Sequence, residues 1–384
     1  MKIVFDRQKI SNQIAPLMNV VSNKSTIKAV EGILIEANQP DSCTMTAFDL
    51  EKGIKITVEC EVLEQGSYII NAQKFSQTLK VMDDEFITLT VDSKLQATFE
   101  CGISSHKTGS LKGEEFPEIP NLTTEKGFVV SQPTLKKMLS KVSYAMGVND
   151  NTRPMLNGCF VKTEADKISV VACDSFKLAV CSCPAEIENI ENSTRGVEYS
   201  FIVPSKSVNE IVKLLSDGED DKVTVYMSYK NMVLVFEDLI FFTKLITGDY
   251  IDYNRIIIKN HKIEVITDKQ ELIAALEKAS LITEERIERA TASHVRLVAE
   301  DNLLKVSAVS SAGSIYDEVQ TQHTGDRLSI AFRNRFLTDS IRACSYDTIK
   351  ISMTSALSSI NIEPAEPNEG ESELFMLLPV RTKD

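Results

Sequence analysis

Ser67-Tyr68-Ile69-Ile70, Ser200-Phe201-Ile202-Val203 and Leu328-Ser329-Ile330-Ala331 decide the fold. Each short apolar run leads into a stretch with helical periodicity, at 71–82, 204–215 and 333–344. In all three, Lys or Arg sits opposite the apolar stripe. With Phe75, Val208 and Phe336 taken as the shared register, the copies are spaced by 133 and 128 residues. A period of one domain length signals tandem domains, because solenoid repeats run only about 20–50 residues. Three domains that each present a basic helix face make a repeated binding surface rather than one pocket.

Length agrees. At roughly 100–150 residues per domain, 384 residues make three domains, placed at 1–124, 125–257 and 258–384. Connectors are expected at Glu114-Glu115-Phe116-Pro117-Glu118-Ile119-Pro120 and at 254–261. With 43% apolar and 25% charged residues the chain is ordinary globular protein, which excludes disorder as its main state. The alternating start, Met1-Lys2-Ile3-Val4-Phe5, is not a signal peptide. No run of about 18 apolar residues suggests a membrane span. Eight scattered cysteines then read as reduced, mostly buried thiols. The expected location is cytoplasmic.

A net charge of −13 seems to speak against a nucleic-acid partner, but the charge is sorted by element. Helices are expected at 7–21, 71–82, 131–147, 204–215, 268–283 and 333–344. Together they carry fourteen Lys and Arg against five acids, so they are +9 and everything else is −22. In 204–215, Val208, Ile211, Val212 and Leu215 form the core face, and Lys206 and Lys213 fall opposite. Arg335 and Arg342 repeat that spacing in 333–344, with Phe332, Phe336 and Ser340 inward. Within 131–147, Lys137, Lys141 and Tyr144 make the outward stripe opposite Leu135, Met138, Leu139, Val142 and Met146. Lys74 and Lys80 flank Gln77, opposite Phe75, Leu79 and Met82. A single such stripe is what any solvated helix face looks like. Four of them inside an acidic protein point to a functional basic surface. Segment 7–21 is weaker, because Pro16 interrupts it.

Between the helices, Ile54-Lys55-Ile56-Thr57-Val58, Lys222-Val223-Thr224-Val225-Tyr226 and Thr348-Ile349-Lys350-Ile351-Ser352-Met353 alternate with period two, as half-buried antiparallel strands do. The fold class is therefore α+β: paired helices backed by antiparallel sheets, three times over. Catalytic signatures are lacking. There is no phosphate-cradling glycine loop, no H-E-x-x-H among four histidines, and no second ligand pair for Cys181-Ser182-Cys183. Asp217, Glu219, Asp220 and Asp221 read as a solvated turn. Cys173 is the strongest thiol candidate but has no evident His partner. The expectation is a protein with no metal, no cofactor and no catalytic site.

From Met1-Lys2-Ile3 to Met376-Leu377-Leu378-Pro379-Val380-Arg381, the whole chain resembles the bacterial DNA polymerase III beta subunit family. The landmarks are Phe116-Pro117, Leu156-Asn157-Gly158, Asp174-Ser175-Phe176-Lys177-Leu178-Ala179-Val180 and Phe201-Ile202-Val203-Pro204, in order and at the right spacing. The resemblance implies a sliding clamp, a ring-shaped head-to-tail homodimer that encircles duplex DNA and confers processivity on the replicative DNA polymerase. Size is consistent with two subunits. A compact globule of this length has a radius of gyration of roughly 21 Å, too small to enclose a duplex alone. Retention would come from topology, and sequence-independent phosphate contacts would let the ring slide.

The same resemblance implies three sets of residues. To the DNA-facing helix cations Lys74, Lys80, Lys137, Lys141, Lys206, Lys213, Lys278, Arg335 and Arg342 it adds Lys24 and Arg153 on loops at a ring face. A peptide-binding groove for polymerase, clamp-loader complex and other partners carrying short linear motifs would use Leu156, Cys173, Phe176, Lys177, Leu178, Ile251, Arg255, Ile256, Ser359, Met376, Leu378 and Val380. Subunits would join through His106, Lys107 and Thr108 on one side and Leu281 and Ile282, near Asp317-Glu318, on the other. Departures are clear: Ser175, Phe176 and Lys177 replace a Gly-His-Arg run, Ile251 replaces a proline, and His106 stands where relatives carry an aromatic. Lys for Arg loses the bidentate fork. Those changes leave a second reading open, a clamp-like paralogue that binds peptides without encircling DNA.

Overall fold

A strand that ends in a helix cap is the unit from which the chain is built. In the computed structural model, which describes residues 1–22, 24–120, 122, 126–164, 166–190, 198–283, 294–311 and 313–382, the three expected copies are Gly66–Asn71, Tyr199–Pro204 and Leu328–Phe332, each followed by a helix. The expected boundary at 124/125 and the last two residues lie outside the described residues. Seven helices occur among the described residues: α1 (Arg7–Gln13), α2 (Ala15–Met18), α3 (Ala72–Val81), α4 (Gln132–Ser143), α5 (Ser205–Leu214), α6 (Lys269–Thr283) and α7 (Asn334–Ala343). The interruption expected at Pro16 is real, since 7–21 divides into α1 and α2 around Ile14. Side chains cap three starts: Asp6 accepts from the Lys9 amide at 2.9 Å, Asn71 from the Lys74 amide at 3.1 Å, and Asp268, just before α6, from the Glu271 amide at 2.9 Å.

The caps correct the register of the third copy. Asn71, Pro204 and Arg333 are the N-caps of α3, α5 and α7. Four residues beyond each cap stand Phe75, Val208 and Leu337, all fully buried. Leu337, not Phe336, is therefore the counterpart of Phe75, and the second step becomes 129 residues. Phe332 and Ser340 do face inward, but Phe336 is turned partly outward. Counting apolar residues alone misplaced it by one position, which is 100° on a helix.

The chain forms two compact units. One comprises Met1–Gln132, Glu188–Thr194 and Gly218–Leu245, and the other Pro133–Ile187, Arg195–Asp217 and Ile246–Asp384. The central third thus contributes to both. In the first unit a fourteen-stranded sheet arises because Leu239–Lys244 pairs antiparallel with Lys52–Glu59, from Leu239 opposite Ile56 to Thr243 opposite Lys52. In the second, a twelve-stranded sheet forms because Lys177–Pro184 pairs antiparallel with Ser372–Leu377, from Lys177 opposite Leu377 to Ser182 opposite Ser372. Helix α1 lies against α3 in the first unit and α6 against α7 in the second. Phe75 stacks on Phe99 at 5.5 Å under α3.

Strand Ser372–Leu377 also changes what α4 faces. Lys137 is exposed, 3.7 Å from Glu371, but Lys141 and Tyr144 are not on an open stripe. Lys141 Nζ pairs with Glu373, with the two side chains only 10% and 2% exposed. The second Glu373 oxygen accepts the Ser345 amide at 2.9 Å. Tyr144 donates its hydroxyl to Ser340 at 3.1 Å and packs on Phe375 at 6.4 Å. Helix α4 is amphipathic by sequence, yet part of its polar face is covered by a strand more than two hundred residues away.

Removing one member of a buried ion pair leaves the other uncompensated. Glu373→Ala is expected to lower stability by about 3–5 kcal/mol, whereas the Lys141→Met, Glu373→Leu double variant should be close to wild type. Denaturant unfolding of the three proteins checks this. A loss under about 1 kcal/mol for Glu373→Ala, the range of surface pairs, would contradict it.

Candidate peptide groove and basic helix faces

The candidate groove is built on one strand pairing and one tight turn, all within the second unit. Cys173 ends strand Lys167–Cys173 and lies opposite Leu178, the second residue of Lys177–Pro184. On its other side Leu178 lies opposite Met376. Leu156, on the turn Pro154–Asn157, joins them with Val171 in one buried apolar cluster. Tyr250, Ile251, Tyr253 and Ile257 cover it in part, and Tyr250 stacks on Phe160 at 5.2 Å. The turn is held by Asp174, whose Oδ1 accepts the Phe176 and Lys177 amides at 2.6 and 2.7 Å.

Lys177 is buried, with its ammonium 2.9 Å from Asp174 and 4.1 Å from the centre of the Phe336 ring. Phe176 and Leu378 form an apolar rim, 45% and 40% exposed, tied together where the Leu378 amide donates to the Phe176 carbonyl at 2.9 Å. The Val380 amide donates to Ala331 at 2.7 Å and fastens the C-terminal stretch. Of the expected groove residues, Leu156, Cys173, Leu178, Ile251 and Met376 share the cluster. Ser359 is buried, next to strand Ile360–Pro364. Arg255 is exposed and pairs with Asp252 at 2.7 Å. Ile256 is exposed too, and its neighbour Ile257 takes the place against the cluster.

Most of the expected DNA-facing cations are exposed. In the first unit these are Lys24, Lys74 and Lys80. In the second, Lys206 is exposed on α5, Lys213 pairs with Glu210 at 3.0 Å, and Lys278 with Asp317 at 2.6 Å. Arg342 pairs with Glu277 at 2.5 Å, and Arg335 lies 3.8 Å from Asp339. The Lys278 ammonium holds the Asp317 carboxyl below its usual range. Arg153 forks onto Asp150 at 2.9 Å and reaches Ser175 at 2.7 Å. The Thr152 hydroxyl, then the Arg153 amide and guanidinium, hold Asp150 down to about 2. Exposed pairs of this kind are worth roughly 0–1 kcal/mol, so a phosphate can replace the carboxylate. Lys141, buried on Glu373, is the exception and is not placed to meet phosphate.

Among the expected interface residues, Lys107 is exposed and Leu281 is 72% exposed, while Ile282 is half-buried. His106 is exposed but anchored, with Nδ1 2.8 Å from Thr78 Oγ1 and its ring over Phe99. Thr108 is the correction here. It turns inward with Ser110 on the strand Ser104–Lys112 and is buried.

Three family models match the chain in order: the DNA polymerase III beta subunit N-terminal domain over 1–120, its central domain over 129–252 and its C-terminal domain over 254–378. The chain belongs to the DNA polymerase III beta subunit family. A beta sliding clamp from Haemophilus influenzae is 27% identical over 384 residues, covering 99% of this chain and 100% of that one. The Bacillus subtilis beta sliding clamp is 24% identical, with both chains covered in full. In structure, a Bacillus subtilis DNA polymerase sliding clamp superposes with a TM-score of 0.89 at 23% identity, again over 100% of both chains. The Pseudomonas aeruginosa beta subunit gives 0.87 at 22% over the same full coverage. Three beta-clamp domains in tandem are thus the fold of this family member.

Two residues at the rim of this candidate groove escaped the sequence reading. Phe336 meets Phe176 at 6.2 Å, and the Arg333 guanidinium lies 5.1 and 5.3 Å from the two ring centres. The missing signal was the cap: counted from Arg333, Phe336 falls outside the core face of α7.

Burial, helped by the Asp174 carboxylate, pushes the Cys173 thiol up to about 11. Only the thiolate is nucleophilic, so at pH 8 about one molecule in a thousand is reactive there. Iodoacetamide should alkylate Cys173 on the order of a hundredfold more slowly in the native than in the denatured chain. The native rate should rise tenfold per pH unit up to about pH 11. Peptide mass mapping of timed samples checks this, and equal native and denatured rates would contradict it.

Proposed function

We propose that two copies of this chain close head to tail into a ring around duplex DNA and act as the sliding clamp of a replicative DNA polymerase. What carries the reading is the ordered match of all three beta subunit domains along the full chain. The domains divide at 1–124, 125–257 and 258–384. A two-fold rotation closes a ring when the surface near His106 and Lys107 of one copy meets that near Leu281 and Ile282 of the other. Polymerase, clamp loader and other partners bind by short peptides whose apolar anchors enter over Leu178 and Met376. No helix among the described residues is long and apolar enough to cross a membrane, and we place the protein in the cytoplasm with its DNA. It supplies no chemistry of its own. Its contribution is to keep an enzyme and its template together.

Sliding follows from the kind of contact. Exposed Lys74, Lys80, Lys206, Lys213 and Arg335 attract phosphates without reading bases. Such contacts exchange with counterions and with the next phosphate along. The acidic remainder of the chain disfavours DNA elsewhere on the surface.

Replacing Lys74, Lys80, Lys206, Lys213 and Arg335 together by Glu should weaken association with DNA on the order of a hundredfold at low salt and flatten its salt dependence. The mass in solution should stay that of two chains. Filter binding across a salt series, with light scattering on the same samples, reads both. Unchanged DNA association would remove the basic helices from the account.

A further inference from the structure

The turn and strand pairing that frame the candidate groove occur a second time, in the first unit, and there they enclose a different space. Asp49 takes the part of Asp174, and the Lys244 amide bonds Glu51 as that of Leu378 bonds Phe176. Register carries the comparison further. Gly53 lies between Phe48 and Phe242, where Leu178 lies between Cys173 and Met376. Only glycine fits at 53, because a Cβ there would sit 2.1 Å from the Phe242 ring. Phe48 and Phe242 close the floor, with ring centres 5.5 Å apart and both side chains buried. A deep aliphatic anchor is thereby excluded.

Against Phe48 a shallower cavity of about 290 Å³ remains, lined also by Leu50, Glu118, Ile119, Pro120 and Lys244. All six residues belong to the first unit. Leu50 is 36% exposed and holds a left-handed backbone, with φ at 78°. Its counterpart Ser175 does not. A bulky apolar residue in that region is strained, and such strain gathers at ligand-binding sites. Glu118 and Lys244 are both exposed, and neither side chain has an ion-pair partner among the described residues. Lys244 shares its strand face with Phe242.

Apolar walls over a ring, with an ammonium at the edge, suit an aromatic side chain. Rings stack offset or edge-on against one another and are attracted to a cation near their face. The two unpaired charges then set what flanks the ring, since a cation meets Glu118 and a carboxylate meets Lys244. A space of this size takes one large side chain, so it fits an extended segment rather than a folded surface.

We propose that this cavity is a second docking site, for an extended partner segment in which an aromatic residue stands between a basic and an acidic one. It is separate from the groove over Leu178 and Met376, and either can fail without the other.

The chain contains no tryptophan, so the emission of a tryptophan peptide reports its own burial. Full-length protein with Leu378→Asp, which disables the rim of the other groove, is titrated with acetylated, amidated pentapeptides. Each has a central Trp between two Ser-capped flanks, which are Lys and Glu, Glu and Lys, or two Gln. One charged order should bind about tenfold more tightly than the Gln peptide and shift the indole emission to the blue. Adding Leu50→Asp should abolish that binding, and Asp tolerates a left-handed turn, so the variant keeps its fold. Exchanging the charges, with Glu118→Lys and Lys244→Glu together, should transfer the preference to the opposite order. Equal affinity for the three peptides, binding undiminished by Leu50→Asp, or a preference unaltered by the exchange overturns the proposal. Binding seen only while Leu378 is intact also overturns it, because the peptide would then occupy the other groove. Absence of binding to either protein removes this site and leaves the groove reading untouched.

Discussion

Unpaired strand edges are what this architecture has to resolve, and it does so by pairing one domain's edge with the next. A free edge exposes a row of backbone donors and acceptors that will pair with something. Here Lys177–Pro184 takes Ser372–Leu377 as its neighbour, and Lys52–Glu59 takes Leu239–Lys244. The first pairing sets most of what matters in the second unit. Because its register is fixed, Met376 lies opposite Leu178, Glu373 comes to Lys141, and Leu378 follows on to bond Phe176. A slip by one residue would turn every one of these side chains to the other face.

The same device is used twice, down to its turns. Asp49 accepts the Glu51 and Lys52 amides at 2.9 and 2.8 Å, as Asp174 accepts those of Phe176 and Lys177. The Lys244 amide donates to Glu51 at 2.9 Å, as that of Leu378 donates to Phe176. Around these matching frames the side chains have diverged. The first unit packs Phe48 on Phe242 at 5.5 Å behind its turn. The second places the smaller Cys173 there and sets two rings and a guanidinium at the rim. Frame geometry is inherited by repetition, and recognition chemistry is local to each copy.

What the sequence made legible was local. The three strand-to-helix copies, the break at Pro16 and the alternating strands follow from periodicity and caps within a few residues. The buried ion pair of Lys141 and Glu373 joins residues 232 positions apart, and nothing in α4 itself announces it. Thr108 went astray for a related reason, since strand parity decides its face and a subunit contact was expected there. Phe336 was legible in principle. Its place depended on where α7 begins, and Arg333 is a weaker start signal than Asn71 because its side chain makes no capping bond.

Topology is the central claim: a closed two-chain ring retained on DNA by linkage rather than by affinity. Retention after loading on circular DNA, compared with the same DNA cut once, tests it most directly, with the mass in solution taken on the same sample. The account predicts long retention on the circle at salt that abolishes direct binding, rapid loss once the circle is cut, and a mass of two chains. Equal loss from both DNAs, or a single-chain mass, would contradict it.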